Sequence, residues 1–234
     1  MDSYYNIKDL SVIYYTCNHI QGYFADNIRD RLLKVCEGIP IISVSHRPLN
    51  FGKNICVGDI GISTYNIYKQ ILIGAKEADT KFLAMAEDDC IYTLSHFSHR
   101  PLDDETFSYN TNRWNLDPSG VYFHRVRAGM CMCIAPREFL IKTLESRFDK
   151  FPTILPKEEL RGWGEPGRDR PNKMLHEDIK LELFESAVPT ICFNHYTGLG
   201  GRRRMMGKDT VVEKLDPWGN ASDLWKDCTA NDCS

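Results

Sequence analysis

The stretch "KFLAMAEDDCIY", residues 81–92, carries a mostly apolar run straight into Glu87, Asp88 and Asp89 before Ile91 and Tyr92 resume the apolar pattern. Three adjacent carboxylates at the end of a buried strand are costly to desolvate unless something positive meets them. Either they form an acidic, solvated turn, or they hold a divalent cation. Mg²⁺ and Mn²⁺ favour carboxylate oxygen and use one or two protein carboxylates beside phosphate oxygens. Residues i and i+2 of an extended chain point the same way. Glu87 and Asp89 are therefore the pair that could share an ion or its hydration shell, with Asp88 turned elsewhere.

Two further clusters follow. "LHEDIKLELFES" presents His176, Glu177 and Asp178. They read either as an acidic first helical turn, favoured by the helix dipole, or as carboxylates facing a pocket as general base or hydroxyl anchor. "CFNHYTGLGGRRR" places His195 ahead of a Gly-rich turn and Arg202, Arg203 and Arg204. Arginine forks match phosphate oxygens. The cluster reads as a metal ligand beside a diphosphate clamp, or as a hydrogen-bonded histidine next to a solvated basic run.

The elements that must position these residues begin with alternating strand and helix signals. Residues 11–17, "SVIYYTC", read as a strand, and Ile20, Phe24, Ile28, Leu32 and Val35 mark one face of a helix stopped near Gly38. Residues 40–45 read as a second strand, "NICVGD" as a short third, and Ile62 to Ala75 as a helix with Ser63 a candidate cap. The strand at 81–86 follows. Such alternation predicts βαβ units in a parallel sheet, whose ligands gather at the carboxyl ends of the strands. Asn18, His46 and Glu87 to Asp89 would then share one edge.

Beyond residue 92 the expectation is less regular. Residues 93–119 read as a polar surface excursion or lid, 121–126 and 130–135 as strands, and 136–148 as a helix. Residues 152–173 read as a long Pro- and Gly-rich loop, 175–187 as a helix, 189–196 as a strand, and 216–234 as a polar tail. The expected class is α/β, a Rossmann-type, mostly parallel sheet flanked by helices, in one domain. Residues 1–92 would form its nucleotide-binding half and 93–215 its acceptor and metal-completing half.

The order of these clusters resembles that of the nucleotide-sugar glycosyltransferases of the GT-A fold. Those enzymes carry an Asp-x-Asp-type motif after a buried strand, written Glu-Asp-Asp in several families as in "AEDDC". An x-Glu-Asp motif follows, matched by "HED" at 176–178, and a C-terminal histidine, placed like His195. "RGWGEPG" at 161–167 is similar to the Trp-Gly loop that borders the acceptor in some of them, although the stretch from Trp163 to Glu177 is longer than theirs. The resemblance covers roughly residues 10–205 by order of elements.

It implies a nucleoside-diphosphate sugar donor, most commonly a UDP-sugar, and Mn²⁺ or Mg²⁺ held by Asp89 and His195 with Glu87 directly or through water. Arg202, Arg203 and Arg204 would bind the diphosphate. Thr16, Asn18, His46, Arg47 and Asp88 would surround the base, ribose and cofactor. Asp178, with Glu177 beside it, would take the proton from an acceptor hydroxyl in an inverting displacement, and Trp163, Gly164 and His176 would border the acceptor. The acceptor is left open among saccharide, lipid-linked glycan, protein and modified nucleic acid base. Two alternatives stand beside this reading: a metal-dependent sugar nucleotidyltransferase, and a non-catalytic nucleic-acid-binding module built on "GRRR" and "NRW".

Whole-chain properties narrow the field. The 234 residues carry 29 basic and 32 acidic side chains, so a net charge of -3 provides no global field for nucleic acid. Nine cysteines with no CxxC spacing read as reduced thiols rather than a zinc finger. No signal peptide and no apolar run long enough to span a bilayer is visible, which predicts a cytoplasmic protein, in a bacterial cell or a virus-infected host.

Overall fold

The structure, a computed structural model, describes residues 7–153, 163–196 and 202–229. Its first half follows the expected alternation. In order come β1 (Leu10–Thr16), α1 (Gly22–Val35), β2 (Ile41–Ser45), β3 (Lys53–Cys56), α2 (Thr64–Glu77) and β4 (Phe82–Glu87). Next are β5 (Cys90–Ile91), α3 (Leu94–Phe97), β6 (Thr106–Asn110), β7 (Arg113–Asp117), β8 (Val121–His124), β9 (Cys133–Pro136) and α4 (Arg137–Lys150). The chain closes with α5 (Asp169–Leu175), β10 (Lys180–Phe184), β11 (Thr190–Phe193), β12 (Thr210–Val212), the hairpin of β13 (Lys214–Leu215) and β14 (Gly219–Asn220), and α6 (Ala221–Thr229).

The protein is α/β. A seven-stranded sheet has the order β10-β6-β9-β4-β1-β2-β3 and is parallel except for β9, which runs antiparallel to both β4 and β6. β1 is buried at all seven positions because both faces of this sheet are covered. Its alternate residues enter different cores: Ile13 and Tyr15 pack toward α2 and α4, while Val12 and Tyr14 pack with Leu32, Phe51 and Phe97. α2 starts where expected, with Ser63 Oγ accepting from Asn66 N at 3.1 Å. It lies close on the sheet because Gly74 has no side chain: a Cβ there would stand 2.7 Å from Ile13 Cγ2.

A second sheet, β12-β8-β7-β11-β5, packs Ile91, Leu116, Tyr122, Ile191 and Phe193 against α1 and α6. It corrects the reading of 93–119 as an irregular excursion. That stretch holds α3, β6 and β7, and every residue of β6 is buried. Polar side chains there are internal partners rather than solvated ones. Asn110 Nδ2 donates to Ser186 Oγ at 2.8 Å, and Asp117 Oδ2 accepts from Asn194 Nδ2 at 2.6 Å.

A second correction concerns 175–187. This segment is not a helix. α5 ends at Leu175, His176 caps it in the left-handed region at φ 52°, and Lys180–Phe184 forms β10, parallel to β6 at the sheet edge. The alternation Ile179, Leu181, Leu183 against Lys180 and Glu182 has the period of a strand, and a partner strand was waiting at β6. The strand read at 130–135 is shorter than expected: Met130–Met132 makes one 3-10 turn before β9. No helix among the described residues is long and apolar enough to cross a membrane.

Candidate active site

A cleft of about 550 Å³ opens at the carboxyl ends of β1, β2 and β4 and is also lined by the end of β11. The volume suits a small-molecule ligand. Its floor is the turn after β4. Tyr15 Oη donates to Glu87 Oε1 at 2.8 Å, and Thr16 Oγ1 donates to Asp88. Asp89 and His195, 106 residues apart in sequence, meet with Nε2 to Oδ2 at 3.1 Å. The backbone brings them together: Phe193 N donates to Asp89 O at 2.8 Å, which ties the end of β11 to the acidic turn. The edge of Phe24 packs on the His195 ring at 6.1 Å.

The electrostatics of this floor are those of negative charge in excess. Burial, then Asp89, push the Asp88 carboxyl up to about 6. Burial, followed by Cys131 and Asp89, holds Glu87 well above the ordinary carboxylate range. Burial lowers His195, but its hydrogen bond to Asp89 and the charges of Asp89 and Asp88 outweigh that and raise it. A bound cation would relieve all three perturbations. The donor set, carboxylate oxygens and one imidazole nitrogen, suits Mn²⁺ or Mg²⁺.

The walls are positioned by residues that sequence reasoning used only in part. Asn18, at φ 56°, receives Arg47 N on its Oδ1 at 2.8 Å and so joins the loops after β1 and β2. Neither Asn18 nor Arg47 lines the cleft, whereas Thr16 and His46 do. His46 is buried, and its Nε2 has no partner among the described residues. Gln70, on α2, donates to Thr16 O and Val44 O, both at 2.9 Å, and satisfies two strand ends at the cleft rim. Its position on the helix face gave no signal of this role.

Trp163 is fully buried, with ring centroids 5.2 Å from Tyr65, 5.9 Å from Tyr68 and 4.9 Å from Phe148. It lines the cleft together with Gly164 and Glu165. Glu165 Oε2 accepts from Arg168 Nη1 at 2.6 Å. Sequence reasoning passed over Glu165, though "WGEPG" contains it.

The residues expected from "HED" stand elsewhere. Glu177 takes both its oxygens to Arg147, at 2.8 and 2.6 Å, and none of His176, Glu177 and Asp178 lines the cleft. His176 and Asp178 are exposed. The cause is the edge strand: the carboxylates precede β10 instead of opening a helix toward the pocket.

The three arginines also separate. Arg202 reaches Asp117, through Nε at 3.0 Å and through Nη2, and its Nη1 donates to Tyr196 Oη at 3.1 Å. Arg203 lines the cleft, its backbone N held by Asn194 Oδ1 at 2.6 Å and its Nη1 3.3 Å from Asn115 Oδ1. Arg204 is exposed and outside it. The Gly-rich turn at 197–201 lies outside the described residues, as does 154–162. Arg113, Arg127, Arg168 and Arg170 join Arg203 along the cleft; the sequence pointed to Arg113 only within "NRW", as part of the nucleic-acid-binding alternative, and to the other three not at all.

No protein-family model and no curated protein matches the chain. Among solved structures it is similar to a glycosyltransferase involved in the glycosylation of the major capsid of PBCV-1, at 7% identity and TM-score 0.44, over 78% of this chain and 92% of that one. It is also similar to the glycosyltransferase GlyE of Streptococcus pneumoniae, at 8% identity and TM-score 0.42, over 74% of this chain and 44% of that one. The bifunctional IspDF of Campylobacter jejuni gives 8% identity and TM-score 0.39, over 76% of this chain and 50% of that one. The chain spans about half the length of the last two.

Proposed function

We propose that the protein is a divalent-cation-dependent glycosyltransferase that takes a sugar from a nucleoside diphosphate, with a UDP-sugar the first donor to test, and delivers it to a hydroxyl acceptor. The observation that carries this reading is the meeting of Asp89 and His195 beside Glu87 and Asp88 in one cleft that Arg127, Arg168, Arg170 and Arg203 also line. An acidic floor and a cationic wall in the same cavity suit a metal-chelated diphosphate.

Asp89 and His195 would hold Mn²⁺ or Mg²⁺, with Glu87 directly or through water, and the ion would offset the charge left on the diphosphate. Arg203 and Arg127 would bind diphosphate oxygens in place of Arg202 and Arg204. Thr16 and His46 would face the base and ribose. The proton of the acceptor hydroxyl would pass to Glu165, the carboxylate of the cleft that is not part of the acidic turn, oriented by Arg168. This assignment replaces Asp178, which stands in solvent.

The test is thermal stabilisation by a panel of nucleoside diphosphates and their sugars, with Mn²⁺ and with chelator. A shift that needs both nucleotide and Mn²⁺ is expected. No shift with any nucleoside diphosphate, with or without metal, would overturn the reading.

A further inference from the structure

Behind the acidic turn lies a second group of ligating atoms. Cys90 and Cys192 face each other across the antiparallel pair of β5 and β11, and Cys131 joins them from the 3-10 turn at Met130–Met132. All three are buried, and their sulfurs lie within 4.8 Å of one another. Four sulfurs at about 2.3 Å around a tetrahedral zinc stand roughly 3.8 Å apart, so an ion would need only a small contraction of this group.

Next to the sulfurs is a charge that needs an answer. Arg113 is 3% exposed, and no carboxylate among the described residues pairs with it. Among the described residues its side chain hydrogen-bonds only from Nη1 to Cys131 Sγ, at 3.6 Å, and its Nε meets no partner. The guanidinium passes directly over Gly129, where a Cβ would stand 2.6 Å from Nη1. A buried cation without an anion is strongly destabilising. Three thiolates around one divalent ion would carry a single negative charge, which Arg113 would neutralise.

We infer that Cys90, Cys131 and Cys192 form a binding site for a soft, thiophilic cation such as Zn²⁺, adjoining the hard oxygen-and-imidazole donors of Glu87, Asp89 and His195 at Cys90, whose Sγ donates to Asp89 Oδ1 at 3.2 Å. Thiolate selects soft ions and carboxylate selects hard ones, so the two groups would sort metals between them. Cys131 and Cys192 line the cleft, which provides the entry path that a buried site requires. The inference rests on the sulfurs and Arg113 and is independent of the glycosyltransferase reading.

The experiment is Co²⁺ titration of the full chain, reduced and stripped of metal. One equivalent should give an intense near-ultraviolet sulfur-to-cobalt absorption that persists in excess Mn²⁺, is displaced by Zn²⁺, and is lost in Cys131→Ser. No such band, or an equal band in Cys131→Ser, would show three ordinary core thiols. Should that variant fail to fold, alkylation of the wild-type protein decides: Zn²⁺ should slow labelling of Cys90, Cys131 and Cys192 by about tenfold relative to Cys17 and Cys56. Equal labelling with and without Zn²⁺ would overturn the site.

Discussion

Arg147 and Glu177 grip one another through two parallel hydrogen bonds of 2.8 and 2.6 Å, with the arginine side chain wholly buried and the glutamate side chain 8% exposed. The same guanidinium donates through Nη1 to Gly164 O at 2.9 Å and sits over the Tyr68 ring. The pair therefore fastens α4 to both ends of the segment that carries Glu165. Its oxygens are spent on structure, so Glu177 has none to offer to an acceptor.

Removing one partner would strand a buried charge. Glu177→Ala is expected to cost about 3–5 kcal/mol of stability, read from urea unfolding, while the folded fraction keeps its donor affinity. The double change Arg147→Met with Glu177→Leu should recover most of that loss. A Glu177→Ala protein of full stability but no turnover would return Glu177 to the chemistry.

Asp89→Asn tests the cation. It keeps the shape of the turn and removes the charge opposite His195. Mn²⁺-dependent nucleotide binding should weaken by about a hundredfold in calorimetry, with the circular dichroism unchanged. Binding equal to wild type would move the ion away from Asp89.

Glu165→Gln and Asp178→Asn separate the two candidates for the base. Loss of a positioned general base typically lowers the rate by about 10² to 10⁴. That loss is expected in kcat for Glu165→Gln, with donor affinity held, and near-wild-type turnover is expected for Asp178→Asn. The reverse pattern would restore Asp178.

Asp117 supports the segment beyond β11 rather than the chemistry. Burial raises its pKa, but hydrogen bonds from Arg202, Ser119 and Asn194 outweigh this and hold it down at about 2. A folded-state value below the unfolded value of about 3.9 stabilises at neutral pH, and the contribution is lost as pH falls through about 2. Asp117→Asn should therefore be less stable than wild type by on the order of 1–2 kcal/mol at pH 7. The gap should narrow from about pH 5 downward in denaturant titrations. A gap constant with pH would mean that the charge of Asp117 plays no part.

The sequence was most readable where local pattern and final surroundings agree. β1, β2 and β4 are apolar runs buried on both faces, α1 and α2 repeat at helical spacing, and Ser63 caps as its type suggests. The juxtaposition of Asp89 and His195 was legible only through the order of short motifs, since the bond that creates it joins backbone atoms of Asp89 and Phe193. What escaped notice depended on partners distant in sequence. "TFSYNTNRWNLD" looks solvated until Ser186 and Asn194 supply its hydrogen bonds. "HEDIKLELF" carries helical acid at its start and strand alternation at its end, and β6 decides between them. Arg113 and Arg127 are isolated in sequence and converge only when β7 and the loop after β8 fold against the cleft.

The place of β9 has a practical corollary. Threaded antiparallel between β4 and β6, it makes the first ninety residues and the remainder share one continuous set of backbone hydrogen bonds. A fragment cut after Tyr92 would bare the whole flank of β4, an apolar edge of the sort that recruits other chains into aggregates. The roles of the two halves are therefore best separated by point substitution in the whole polypeptide.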